Sequence, residues 1–335
     1  MRLAFLLVLL CTALHTRAQR VTNVTAEQQG QELLIHYHLE AEGPVEVLLY
    51  LSTDRGSRWE GPLKSCTGDV GPNVAPGTGK RIRWEVLKDR ELVGDGIAFK
   101  VVLMGGKLSA AEVTKRPWLN RSLSYGSVTD IDGNTYATIQ IGTQVWMAEN
   151  LRTTRYRNGD PIPNVTDKGK WGGLSSGAWC HYENDPKHEV PYGKLYNWYT
   201  VNDPRKVCPA GWHVPTDGEW QQLEAALGMP ASELGQKNEF RGYAQNVRGK
   251  MKTTTLWESP NTGATNSSGF SGLPGGYRYP NGGTFHNLGS NGSWWSASES
   301  GTEYAWSRSL FYNSAGILRY NYSKRDGFCV RCVRD

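Results

Sequence analysis

The stretch Cys208-Pro209-Ala210-Gly211-Trp212-His213-Val214-Pro215-Thr216-Asp217-Gly218-Glu219-Trp220 anchors the reading of this chain. Thr216 and Glu219 stand at the spacing of a capping box, in which each side chain accepts the other residue's backbone N–H. Trp220, Leu223 and Leu227 continue at helical spacing and Gly228 follows, so one amphipathic helix is expected from Thr216 to Leu227. Upstream, a shorter helix is expected to include Tyr196 to Val201. Downstream, from Gly269 to Asp335, short β-rich runs read as hairpins: Trp294 to Ser298, Tyr304 to Tyr312, Ile317 to Tyr322 and Gly327 to Val333. Eleven of the 13 Trp and fourteen of the 16 Tyr lie after residue 104, so the core there must be aromatic. Each such ring buries about 150–250 Å², which lets a domain with long irregular loops offset the entropy of ordering them. An α+β domain over residues 125–335 is the expectation.

The front of the chain has another grammar. Glu32 to Leu39, Val45 to Leu51, Lys80 to Val86 and Ile97 to Leu103 read as strands. Asp54-Arg55-Gly56, Gly68-Asp69-Val70-Gly71 and Pro76-Gly77-Thr78-Gly79 supply turns between them, which together predict a small antiparallel, immunoglobulin-like sandwich over residues 19–103. Residues 104–124 lack strong periodicity and read as a linker. Met1 and Arg2, the apolar run Leu3 to Leu10 and the exit Thr16-Arg17-Ala18 have the form of a secretory signal peptide over residues 1–18. Leu9-Leu10 stands before Cys11 where a lipid-attachment site needs a small residue, so cleavage near Ala18 is expected instead. No later stretch is apolar enough for a spanning helix. The expected location is secreted or extracytoplasmic.

Charge excludes one class of partner. The net +5 falls to +3 once Arg2 and Arg17 are removed, and no run of Lys and Arg forms a nucleic-acid footprint. Cysteine use fits an oxidising compartment, with Cys180, Cys208, Cys329 and Cys332 in the back half. Four cysteines allow three pairings. Residues three apart on a strand face opposite ways, so Cys329 and Cys332 are expected to take different partners: Cys208 with Cys332, and Cys180 with Cys329. Cys66 is left over, as a small buried thiol or an intermolecular link.

Six motifs in order carry a resemblance. They are Val128-Thr129-Asp130-Ile131-Asp132-Gly133-Asn134-Thr135-Tyr136, Gln144-Val145-Trp146-Met147-Ala148-Glu149-Asn150-Leu151, Tyr192-Gly193-Lys194-Leu195-Tyr196-Asn197-Trp198-Tyr199, the Cys208 to Thr216 stretch, Gly269-Phe270-Ser271-Gly272-Leu273-Pro274-Gly275-Gly276-Tyr277-Arg278, and Val330-Arg331-Cys332-Val333-Arg334-Asp335. Residues 125–335 resemble the Fibrobacter succinogenes major paralogous domain. That resemblance implies a C-type-lectin-like fold, related to the formylglycine-generating sulfatase-modifying fold, on proteins exported by Bacteroidota and Fibrobacterota. Cys329 departs from the family's usual ending, which has Ser at that place.

The residues support no catalytic set. Asp130, Asp132 and Asn134 resemble the start of a calcium loop, but Gly133 falls before the third ligand and no bidentate Glu follows, so a turn between two strands is expected. Cys329 and Cys332 match half of a zinc knuckle with no second half, and His36 and His38 share a strand face without a third ligand. Gly269-Phe270-Ser271-Gly272-Leu273 lacks the closing glycine of a nucleophile elbow. No metal and no cofactor are expected. The late segment around Tyr312, Arg319, Tyr320, Asn321 and Tyr322 combines rigid aromatic area with adaptable polar groups, the chemistry of a binding surface. The expected function is calcium-independent recognition of an extracellular protein or glycan; the alternatives are a formylglycine-generating-type cysteine oxidase and a structural envelope protein.

Overall fold

The computed structural model describes residues 20–41, 43–56, 59–90 and 96–335. The expected signal peptide and its cleavage point near Ala18 lie outside the described residues. The molecule is mostly β, with 38% strand against 16% helix, so sheets decide its architecture.

The front half contributes seven strands: β1 (Arg20–Gln29), β2 (Glu32–Glu40), β3 (Val45–Ser52), β4 (Cys66–Gly68), β5 (Gly71–Val74), β6 (Gly77–Glu85) and β7 (Ala98–Lys107). One sheet has the order β1-β2-β6-β4. Strand β3 pairs with β5 on one side and β7 on the other, starting a second sheet. Alternation explains the core between them: Ile35, Tyr37 and Leu39 of β2 and Ile82 and Trp84 of β6 share one buried cluster with Val45, Val47, Leu49 and Leu51 of β3. Each of the four strands expected in this half is present, while β1, β4 and β5 were not read from the sequence.

The second sheet does not end where the expected linker begins. Strand β7 runs on to Lys107 and pairs with β8 (Gly126–Thr129), which forms a hairpin with β9 (Thr135–Ile141). Strand β10 (Gln144–Met147) follows, and one eight-stranded sheet spans both halves of the chain. The rest of residues 104–124 is folded too. Ser109 and Glu112 form a capping box on the helix Ala110–Thr114, and Leu108, Val113, Trp118 and Leu119 are buried in the main core. Four apolar residues spread over twelve positions make no clear period, so this docking segment passes for a linker. Further ties join the halves: Arg334 pairs with Glu46 at 2.6 Å and the Lys100 ammonium donates to the Ile131 carbonyl at 3.0 Å.

The back half adds β11 (Trp179–Cys180), β12 (Leu195–Tyr196), β13 (Trp212–His213), β14 (Phe240–Arg241), β15 (Gly275–Arg278), β16 (Phe285–Leu288), β17 (Asn291–Glu299), β18 (Tyr304–Phe311), β19 (Ile317–Ser323) and β20 (Val333–Arg334). A six-stranded sheet has the order β14-β19-β18-β17-β15-β16, and β20 closes the eight-stranded sheet between β13 and β10. The expected helix is present over Asp217–Ala226 with its Thr216/Glu219 capping box. The shorter one covers Trp198–Val201, capped by the Asn197 side chain. The core is aromatic as composition requires, with Trp146 against Trp220 at 4.8 Å and Phe270 against Trp294 at 5.7 Å. Several indole N–H groups find partners inside it: Trp198 donates to the Ser296 carbonyl and Trp295 to the Tyr196 carbonyl, both at 2.8 Å.

The disulfide expectation holds in one half and fails in the other. Cys208 and Cys332 are bonded, whereas Cys180 and Cys329 are free and buried. Cys180 sits on β11 beside the Arg278 guanidinium, while the Cys329 thiol faces the Tyr192 carbonyl and the Gly275 backbone, so their neighbours are not each other. Burial pushes both thiols up to about 12. Cys66 is half-buried and free.

Candidate functional site

Strands β18 and β19 separate two kinds of side chain. Arg308 and Arg319, paired across the strands, turn to the helix Asp217–Ala226. Arg319 meets Asp217 through Nη2 at 2.8 Å and lies 3.7 Å over the Trp306 ring. Arg308 bridges Asp217 at 2.8 Å and Glu224 at 2.5 Å, and Glu224 also binds Arg241 at 2.9 Å. Burial alone would raise the Asp217 pKa; Arg319 and Arg308 instead hold it down to about 2. Arg319 therefore belongs to a buried ionic lattice, and its expected place on a binding surface is corrected. Tyr312 is also elsewhere: it packs against the main core past the far end of β18, where its N–H donates to Ser290 and its carbonyl accepts from Thr262.

Tyr320, Asn321 and Tyr322 do come together, at an open cleft of about 610 Å³. Their strand is rigidly backed. Tyr320 and Tyr322 lie on one face with ring centroids 5.0 Å apart, Tyr322 meets Phe328 at 5.0 Å, and Phe328 stacks on the buried Trp295 at 4.5 Å. A line of rings thus runs from the core to the surface and backs the outer tyrosine.

Among the cleft residues not read from the sequence, three stand out. Tyr304, at the start of β18, is 49% exposed and Tyr279, just past β15, is 42% exposed, which leaves their ring faces available. Tyr279 is placed by its neighbour Arg278, which is fully buried and donates to the Val165, Thr166 and Gly283 carbonyls at 2.6, 3.0 and 3.2 Å while stacking on Trp171 at 4.4 Å. The chain must pass closely there: a Cβ on Gly172 would lie 2.4 Å from the Pro280 carbonyl. The third residue, Asp326, is the chemical centre. It is 3% exposed, and its Oδ1 has no hydrogen-bond partner among the described residues. Burial, offset in part by the Ser323 backbone, pushes its pKa up to about 8, so the carboxyl is largely neutral at pH 7. Glu303 and Arg325 pair at 3.4 Å on the rim.

The other motifs take structural places. Asp130 accepts from the backbone N–H of Asp132 and Asn134 at 2.9 Å each and from the Tyr136 hydroxyl at 2.6 Å, so it organises the β8–β9 turn. His36 faces Glu27, and His38 faces Asn23. His213 is clamped between Glu219 at 2.7 Å and Asp335 at 2.6 Å.

No curated protein and no solved structure matches the chain. The model of one family, the Fibrobacter succinogenes major domain, matches residues 139–334, a span that covers more than half of the chain and holds every cleft residue. The chain belongs to the Fibrobacter succinogenes major domain family.

Proposed function

We propose that this chain is an extracytoplasmic binding protein, with an immunoglobulin-like front sandwich carrying a C-type-lectin-like domain that recognises a ligand through the tyrosine cleft. The observation that carries the reading is the cleft itself: exposed rings fixed from behind and converging on a buried carboxyl with a free oxygen. Rigid aromatics supply contact area at low entropic cost, and few placed polar groups supply orientation. The two free thiols of the back half are buried at high pKa, the opposite of what an activated cysteine needs, which favours binding over oxidase chemistry. The continuous sheet supports a front half that holds the cleft at a fixed angle to its attachment. The test is a screen of the full chain against arrayed glycans and extracellular proteins, with and without a calcium chelator. The reading expects a chelator-insensitive ligand whose binding is lost in Tyr320→Ala/Tyr322→Ala at unchanged circular dichroism; a ligand bound equally by that variant contradicts it.

A further inference from the structure

The cleft also restricts what chemistry fits it. It is lined by the exposed rings of Tyr279, Tyr304 and Tyr320 together with the polar side chains of Asn281, Asn321 and Asp326. Resting on the binding reading above, we infer that the cleft is a saccharide subsite, in which a sugar ring lays its C–H face on a tyrosine and directs a hydroxyl to the free Asp326 oxygen. A pyranose has that duality, apolar on its faces and hydrogen-bonding at its edge. A hydroxyl both donates and accepts, and so does a neutral carboxyl. Asp326 lines the solvent-open cleft, and its buried Oδ1 lacks, among the described residues, the partner that buried polar atoms normally have.

A peptide would engage the same face differently. Strand β14 pairs with Ile317 and Leu318, and the Asn238 N–H reaches the Arg319 carbonyl; among the described residues no strand pairs with the outer edge of β19 beyond Arg319, which leaves it available to an added strand. Strand addition draws on backbone groups and leaves Asp326 without a role. The free carboxyl oxygen therefore favours the sugar, and Asp326 separates the two occupants.

The groups facing Asp326 set the pH behaviour. They are Tyr277 on β15 and Tyr322 on β19, with Glu303 and Arg325 at the rim. Both phenols are raised by burial, Tyr322 to about 12, so neither ionises near pH 8. A sugar hydroxyl that accepts from the protonated carboxyl loses that donor when the carboxyl ionises, so affinity falls as pH rises through about 8.

The experiment measures the full chain against an array of neutral oligosaccharides and an array of extended peptides, followed by titration calorimetry of the strongest binder. An oligosaccharide is expected to bind, about tenfold or more weaker to Asp326→Ala, with part of the loss restored in Asp326→Asn, as removal of a hydrogen-bond partner requires. Wild-type affinity is expected to drop about threefold or more from pH 7 to pH 9.5, and the Asp326→Asn profile to be flat. Oligosaccharide binding that is unchanged in Asp326→Ala overturns the assignment of the carboxyl. Binding of peptides alone, lost in Tyr320→Ala/Tyr322→Ala, overturns the saccharide class while the cleft reading stands. Binding of either kind that survives the tyrosine substitutions overturns both.

Discussion

Asp217 and Asp326 are buried carboxyls on the same six-stranded side of the molecule, and they have opposite fates. Asp217 accepts from Arg308, Arg319 and Gln221 at 2.8–2.9 Å and stays ionised down to about pH 2. Asp326 leaves one oxygen free and holds its proton up to about 8. A buried charge with its hydrogen bonds satisfied is committed to the fold, whereas a buried polar atom left open is a stability cost that selection keeps where a ligand completes it. Burial alone does not mark a site; what distinguishes Asp326 is an unpartnered carboxyl oxygen on a residue that lines a cleft of exposed tyrosines.

Breaking the first member of the pair has the largest expected effect. Asp217→Ala leaves the buried Arg319 without its carboxylate and Arg308 with Glu224 alone, and is expected to cost about 3–5 kcal/mol by urea denaturation. A loss below about 1 kcal/mol shows that the lattice is solvated rather than structural. Because the folded pKa lies below the ordinary value near 4, the Asp217 contribution is present above pH 4 and fades as pH falls towards 2.

Asp326 sharpens the comparison through the opposite sign. Its folded pKa lies above the ordinary value near 4, so the folded state binds the extra proton between about pH 4 and 8 and stability falls with rising pH across that window, by at most about 1.4 kcal/mol per unit. Asp326→Asn is expected to remove this slope and to melt higher than wild type at pH 8. A variant that melts lower at pH 8 shows that the carboxyl is paired and not free.

The smallest effect belongs to His213, one-third exposed between two carboxylates. Its pKa is raised, first by Glu219 and then by Asp335, so its stabilisation is complete below about pH 6.5 and is lost as pH rises through the elevated folded value. Solvent screening limits this to about 0.5 kcal/mol. His213→Asn is expected to abolish a shallow fall in melting temperature between pH 6 and 9; an unchanged fall assigns it to another group.

How far such distinctions were legible in the sequence depends on how locally they are encoded. The helix Asp217–Ala226 was readable because its capping box and apolar stripe lie within one segment. Cys208 with Cys332 was readable because cysteines have so few possible partners. Tyr320 and Tyr322 stood out by composition, but neighbouring Arg319 could not be separated from them, since its partner Asp217 is 102 residues away. Asp326 carries no local signal at all: its cleft is assembled from the end of β15, the start of β18 and the turn after β19. The segment Leu108 to Leu119 failed for a similar reason, because its apolar residues answer a surface formed by distant strands rather than a period of their own.

The central claim, that the tyrosine cleft is the binding site and the neighbouring aromatic and ionic residues are scaffold, is tested most directly by comparing ligand binding of Tyr279→Ala/Tyr320→Ala with that of Tyr312→Ala. The cleft variant is expected to lose about tenfold or more in affinity and Tyr312→Ala to bind as wild type, since only the former removes exposed ring faces from the cleft. Loss of binding in Tyr312→Ala with full affinity in the cleft variant would contradict the account.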